Sequence, residues 1–405
     1  MRELDPKIEL QEELFRQIYN VLQGDVTSRI RTMCVGNGCD VGYRSLMEGK
    51  SLKVQKDILP DLYALCEEVK NKLSFSEKID FYIIGDNSVN AKSWATDDEN
   101  LPHIITINSG LYNLMNDEEL KYIIGHEIGH LINKDTDIFD VYKFIYPDEE
   151  SKKGSPEFLR KRIDLYDKIA ELGADRYGYM ANENIEACVT AIFKMASGLN
   201  LEKMDVSVET LIKENANRLN YFLEENGVSE GTHPVNPIRI RALELFANAK
   251  TQTALARGMN ELVDVLHRFA YGEYGFALTD FVAAASIIVS RMDGRVDKFE
   301  EESVIDELAK FTLTPYKELK RVEKGDVAQI FKESVDKILE MDSSMADALL
   351  DYFVTVVFAD GILDNDEMAL IFDFGRQIGF SDGEIARAVG ARLKEDFSPT
   401  ALALK

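Results

Sequence analysis

Two histidines four residues apart, in the run His126-Glu127-Ile128-Gly129-His130, constrain this chain more than any other feature. On a helix this spacing stacks both imidazoles on one face, one turn apart. That face can hold one metal ion, with Glu127 beside the first ligand and able to reach a metal-held water rather than the metal. The surrounding residues predict that helix. Asn116 is a good N-cap, Glu119 is its capping-box partner, and Leu120, Ile123, Ile124, Ile128 and Leu131 follow at helical spacing. The chain has only five histidines, and the pattern arises in it by chance on the order of once in a hundred. The alternative is a pair of solvent-facing histidines on an amphipathic helix. It conflicts with the apolar neighbours Ile124, Ile128 and Leu131, since a buried histidine pair without a partner is costly.

A catalytic metal wants a third protein ligand and an open position. Glu171 and Asp175, in the run Glu171-Leu172-Gly173-Ala174-Asp175, are again four apart on a helix expected from Ser155 and Pro156 to about Ala181. Glu171 is the expected third ligand, and Asp175 the acceptor for the free N–H of a ligating histidine. Read alone, the pair equally describes a solvated acidic face. Gly173 and Ala174 are expected to let this helix approach the first closely. His233, in the loop 227–237 before Arg239 and Arg241, is the candidate donor to a developing oxyanion. His103 and His267 lie in ordinary strand and helix patterns and are expected to be structural.

Length and charge bound the rest. At 405 residues two or three domains are expected. Apolar residues at 45% and charged residues at 29% exclude a wholly disordered chain. A formal charge of −25 argues against nucleic-acid partners and anionic membrane surfaces. The most apolar run, Phe281 to Val289, is about half a membrane span, so no membrane segment is expected. The charged start MRELDPKIELQEELF has no signal-like apolar core. With four cysteines, a cytoplasmic, reducing setting is the expectation. Cys34 and Cys39 flank a Gly-containing turn and form half of a metal site that nothing nearby completes.

Residues 1–252 are expected to be α+β, mostly helical with a small sheet. Ile79–Ile84 and His103–Ile107 read as strands, Asp135–Gly154 as a long loop, and 184–197, 206–225 and 238–250 as further helices. Residues 253–270 read as a helical connector. Residues 271–405 read as an all-α acidic domain with 15 basic and 27 acidic residues. That domain holds an internal repeat: Asp293, Asp297 and Glu300 recur as Asp360, Asp364 and Glu367 at the same spacing, each set after an apolar helical run.

The combined motifs (Asn108-Ser109-Gly110-Leu111, Asp117-Glu118-Glu119-Leu120, His126–His130, Glu171–Asp175, and Thr232-His233-Pro234 with Arg239) resemble peptidase family M48, a family of zinc metallopeptidases, over roughly residues 60 to 250. The resemblance implies a zincin-type fold, one catalytic Zn2+ held by His126, His130 and Glu171, and Glu127 as general base. It also places Asp175 and His233 on family positions, and Asn90-Ala91 on a family pair after the first strand. The substrate is then a peptide or protein, with zinc polarising the scissile carbonyl and Glu127 carrying the proton from water to the leaving amine. The His103–Ile107 strand is expected to hold an extended peptide along the cleft, which makes Asn90, Thr106 and Asn108 candidate substrate contacts. The second part resembles a TerB-type, tellurite-resistance-associated helical domain. There the resemblance implies that the acidic repeats take a further divalent cation. The plainer reading is two capping boxes after Asp-Gly turns, with the domain as a docking surface for a regulatory protein. An alternative for the whole chain is a stress-response scaffold with a structural or latent zinc site, its fourth position closed by a cysteine from the 34–39 loop.

Overall fold

A computed structural model of the chain describes residues 4–35, 38–96, 98, 100–204, 206–224, 233–293, 304–305, 307–312, 314–358 and 363–397. It divides into two compact units, Met1–Ala270 and Tyr271–Lys405. The first is α+β. It opens with helices α1 (Glu9–Val21), α2 (Gly24–Val35) and α3 (Gly38–Lys50), then the short strand β1 (Leu52–Lys53) and α4 (Pro60–Lys72). Strands β2 (Ile79–Ile84), β3 (Ala91–Trp94) and β4 (His103–Asn108) complete one sheet of order β1-β2-β4-β3. β2 and β4 run parallel with Ile79 opposite His103, and β3 runs antiparallel to β4 with Ala91 opposite Ile107. β4 is buried on both faces, as its unbroken β-branched run requires. The edge strands are β1, of two residues, and β3.

After the sheet come α5 (Ser109–Leu114), α6 (Asp117–Asn133), α7 (Thr136–Ile145), α8 (Glu149–Lys153), α9 (Glu157–Asn182), α10 (Ile185–Ser197), α11 (Val208–Glu224) and α12 (Asn236–Asn248). The expected capping box of α6 is formed. The Asn116 side chain accepts from the Glu119 N–H at 3.0 Å, and the Glu119 carboxylate accepts from the Asn116 N–H at 2.9 Å. Glu119 also pairs with the buried Lys194 of α10 at 2.7 Å, which ties the cap into the core. The long loop expected over Asp135–Gly154 is instead α7 and α8. Ile138, Val141 and Tyr142 recur at helical spacing and bury one side of α7. α9 starts without a side-chain cap, because the Ser155 hydroxyl bonds to the Lys152 carbonyl and to Tyr142 instead.

α6 and α9 cross at close range, and glycine makes this geometry accessible. A Cβ on Gly178 would lie 2.6 Å from the Tyr122 ring and 2.7 Å from its carbonyl, and one on Gly129 would lie 2.9 Å from the Tyr177 Cβ. Gly173, the residue expected at this contact, faces mainly Gln11 of α1. Ala174, Gly178 and Ala181 form the small-residue surface on which Gly125 and Gly129 lie.

Gln252–Asp293 is helical with a break at Gly272, whose φ of 59° and ψ of −177° are open to glycine at little cost. Residues 253–270, read above as a connector, fall within the first unit. The stretch Ala270–Arg291 is 22 residues long and apolar enough to cross a membrane, a longer run than Phe281–Val289 alone. A core helix passes the same test, and 56% of its apolar window is buried in the structure. The second unit continues with α13 (Pro315–Lys324), α14 (Val327–Met341), α15 (Ala346–Val357), α16 (Asn365–Gln377) and α17 (Asp382–Phe397). Its core centres on Phe281, Phe331, Phe353 and Phe374, with ring centroids 4.5 to 5.5 Å apart along the chain of contacts from Phe281 to Phe331, Phe353 and Phe374. Of the acidic repeat, Asp297, Glu300 and Asp360 and the Asp293 side chain lie outside the described residues. Asp364 and Glu367 form a reciprocal capping box on α16, with both bonds at 2.8 Å. Their oxygens therefore serve the helix terminus.

Candidate metal centre

The crossing of α6 and α9 brings three side chains to one point. His126 Nε2 and His130 Nε2 are 3.1 Å apart, and each lies 3.5 Å from a Glu171 oxygen. All three residues are largely buried. Among the described residues this is the group of His, Cys, Asp and Glu whose ligand atoms come together closely enough to share an ion.

Each imidazole is oriented by a carboxylate behind it. His126 Nδ1 lies 2.9 Å from Asp175 Oδ1, and His130 Nδ1 lies 2.8 Å from Asp135 Oδ2. With Nδ1–H donating, the neutral ring presents its Nε2 lone pair forward. Two lone pairs and a carboxylate then face one another, and Glu171 Oε2 is buried without a hydrogen bond. An unsatisfied acceptor cluster of this kind is costly unless a cation sits within it. The dimensions fit as well. Ligand bonds of about 2.0–2.1 Å around a tetrahedral ion give edges of about 3.4 Å, close to the 3.1 and 3.5 Å separations here.

Without an ion, the same cluster favours protons on the two rings. Burial pulls the His126 and His130 pKa values down, but hydrogen bonds to Asp175 and Asp135, together with Glu171, more than reverse this and hold both above the ordinary histidine value. For Glu171, burial pushes upward and the two imidazoles prevail, holding it well below the usual carboxylate range.

The supporting shell is dense. Asp175 is wholly buried and accepts from the Tyr122 hydroxyl at 2.6 Å and from Arg239 of α12 twice, at 2.9 Å from Nε and 2.6 Å from Nη2. Burial would raise the Asp175 pKa, but Arg239 overrides this and keeps it well below the usual value. Asp135 accepts from the Gln11 amide at 2.6 Å and from the Tyr166 hydroxyl at 3.0 Å. Asp135, Tyr122, Gln11 and Tyr166 were not among the residues expected from sequence. The available signal was a carboxylate five residues past His130, just beyond the helix end, where it can turn back under the ring.

The remaining candidates separate. Glu127 lines a cleft of about 600 Å³ together with the three metal-facing residues, and its carboxylate is engaged by no hydrogen bond or ion pair among the described residues. His233 lines it too, with Nε2 3.4 Å from Glu171 Oε2 and 58% of its side chain exposed. Partial desolvation by the cleft walls, with Arg239 and the two histidines nearby, holds the His233 pKa below its ordinary value. Asn90 lines the cleft, and its Oδ1 accepts from the Ala91 N–H at 3.0 Å. Thr106 does not line it. Thr106 is buried beneath β3 with its hydroxyl on the Lys92 carbonyl. Asn108 binds Ser88 at 2.7 Å and also stands away from the cleft. The strand along the cleft is therefore β3, at the sheet edge, and the interior strand β4 lies behind it. His103 is held by Thr96 and Glu77, as a structural histidine would be. The Cys34 and Cys39 side chains lie outside the described residues.

The ladder fixes what β3 offers. Asn108 N–H donates to the Asn90 carbonyl, so Asn90 and Asn108 form a hydrogen-bonded pair. In an antiparallel ladder such pairs alternate. Ala91 and Ser93 consequently turn their backbone groups outward, to the open edge.

Residues 60–143 match the model of peptidase family M48, and residues 279–390 match that of the tellurite resistance protein TerB. The chain is similar to a plastoglobule-localized metallopeptidase 48, chloroplastic, of Arabidopsis thaliana, at 23% identity over 224 residues, 52% of this chain and 64% of that protein. It is also similar to a protease HtpX homolog of Streptococcus uberis, at 36% identity over 87 residues, 21% of this chain and 28% of that protein. The chain thus spans less than two thirds of either relative. No solved structure matches.

Proposed function

Because this chain carries a peptidase family M48 domain followed by a TerB domain, we propose that it is a zinc-dependent endopeptidase whose first unit cleaves peptide bonds at the His126, His130 and Glu171 centre. The observation that carries the reading is the buried Glu171 carboxylate, one oxygen of which accepts no hydrogen bond, facing two imidazole nitrogens that carboxylates behind them orient toward it. When bound there, zinc supplies a Lewis acid and makes water acidic enough to ionise near neutral pH.

The chain's own residues do the rest. His126, His130 and Glu171 hold the ion, and Asp175 and Asp135 fix the ring tautomers. Glu127, with an uncommitted carboxylate at the same cleft, accepts the proton of the attacking water and returns it to the leaving amine. His233 donates to the oxyanion as it develops. The outward N–H and C=O of Ser93 and the C=O of Ala91 hold an extended peptide as an added strand, which binds main chain with little regard to side chains. Asn90 keeps the Ala91 N–H occupied and so sets where that strand begins.

Glu127→Gln is expected to retain one zinc per chain and to lose about a hundred- to ten-thousand-fold in peptide hydrolysis, read by metal analysis and a peptide-library digest. Glu171→Ala is expected to lose the metal. Hydrolysis undiminished in Glu127→Gln, or full zinc occupancy in Glu171→Ala, overturns these assignments.

A further inference from the structure

One carboxyl group in the cleft has no task in this mechanism. Asp167 lies one turn before Glu171 on α9 and lines the cleft beside Thr136, Phe139 and Ala170. It makes no hydrogen bond or ion pair among the described residues, and its Oδ1 is buried without a partner. The neighbouring Lys168 is already taken by Asp164 at 2.5 Å. Both oxygens of Asp135 are taken as well, by Gln11 and Tyr166 on one side and His130 on the other.

Asp167 as a whole is partly exposed, but a carboxyl oxygen buried without a donor is destabilising unless the group is neutral or meets a cation. Burial, with Asp164 and Glu171 nearby, holds the Asp167 pKa above the usual carboxylate value. A second metal ion is a poor occupant, since Asp167 shares no ligand cluster with other His, Cys, Asp or Glu among the described residues. The walls instead suit a long side chain with a charged end. Phe139, which lines the same cleft as Asp167 and Ala170, is a large apolar residue left 41% exposed. An aliphatic stem can lie along the ring while its cationic head meets the carboxylate. The chain's formal charge of −25 draws cationic peptides toward any such site.

Resting on the peptidase reading above, we infer that Asp167 is a specificity-determining residue and that the cleft around it is a subsite for a lysine or arginine side chain of the peptide substrate. Asp167 touches substrate there and takes no part in bond breaking. Because its terminal torsion is soft, either oxygen can turn toward the bound cation.

The test compares peptides that differ only in charge: arginine against citrulline, and lysine against norleucine, at each position near the scissile bond. Binding is read by fluorescence anisotropy on the full-length, zinc-loaded Glu127→Gln chain, so it does not depend on turnover. Hydrolysis is read in parallel on the wild type. We expect at least tenfold tighter binding of the charged member at one position, a ratio that collapses toward one in Asp167→Asn. Asp167→Arg should favour a glutamate peptide instead. Equal binding of both members at every position, or a ratio unchanged in Asp167→Asn, overturns the inference. Charge discrimination that persists where the wild type hydrolyses nothing would sink the peptidase reading and leave a cation-selective peptide site. Hydrolysis without charge discrimination would do the reverse.

Discussion

Arg239 holds Asp175 with two hydrogen bonds while Asp175 holds His126, so a residue of α12 sets the orientation of a ring on α6 through a carboxylate on α9. Both partners are buried, at 5% and 0% exposure. A buried pair is most expensive when only one member is removed.

Arg239→Ala should therefore cost about 3–5 kcal/mol of folding stability in the metal-free protein, because buried Asp175 is left with only the Tyr122 hydroxyl and the His126 ring to offset its charge. Arg239→Lys should recover only part of this, since an ammonium does not span both oxygens. Denaturant unfolding of both variants in a chelator checks this. A loss below about 1 kcal/mol for Arg239→Ala would mean that Tyr122 and His126 suffice to hold Asp175 without the guanidinium.

Asp135 does for His130 what Asp175 does for His126, at 2.8 Å. Asp135→Ala should weaken zinc binding about ten- to a hundredfold, the usual effect of losing a residue that orients a metal-ligating histidine. Competition against a chelator of known affinity gives the number. Gln11→Ala, one step further out on α1, should give a smaller loss in the same direction. An unchanged affinity in Asp135→Ala would show that the ring needs no such support.

Much of this centre was legible in the sequence because its parts are local. Spacing of four puts ligands on one face, and Asn116 with Glu119 caps α6 within four residues. Asp175 and Glu171 follow the same rule on α9. What was hidden depends on tertiary placement. Asp135 reads as the first residue of a loop, and only the folded chain turns it beneath His130. The four residues of β3 (Ala91-Lys92-Ser93-Trp94) have no apolar run and become a strand by pairing with β4. Gly173 and Gly178 are equally small, but only the helix azimuth decides that Gly173 meets α1 and Gly178 meets α6.

The raised His126 and His130 pKa values of the metal-free site predict opposite pH trends for stability and for metal affinity. A group whose folded value is raised contributes stability that is complete below its unfolded value, about 6.5 for histidine, and lost as pH rises through the folded value. The metal-free protein should therefore become less stable as pH climbs from about 6 into the alkaline range. Over the same range zinc affinity should rise, as protons leave the nitrogens the metal needs. Thermal unfolding in chelator and zinc titration at each pH check the two halves. A zinc affinity flat across this range would mean that both rings are already neutral in the metal-free protein.

The α6–α9 crossing gives the last prediction. At Gly178 an added methyl group would meet the Tyr122 ring at 2.6 Å and its carbonyl at 2.7 Å. The ring is pinned because Tyr122 is buried and its hydroxyl donates to Asp175, so it has little room to yield. Gly178→Ala should then cost about 1–3 kcal/mol by overpacking, despite alanine's better helix propensity. Forcing α9 away from α6 would also widen the gap between Glu171 and the two imidazoles, so zinc affinity should fall with stability. Gly42→Ala is the matched control. It lies within α3 of the same unit, is exposed, and has nothing within 4 Å of the added carbon. It should be neutral or stabilising by up to about 1 kcal/mol, with zinc affinity unchanged. Comparing the two variants by denaturant unfolding and zinc titration separates helix propensity from the close approach. If Gly178→Ala leaves zinc affinity at the wild-type value while Gly42→Ala behaves as stated, the crossing is slack enough that its distance does not set the metal geometry.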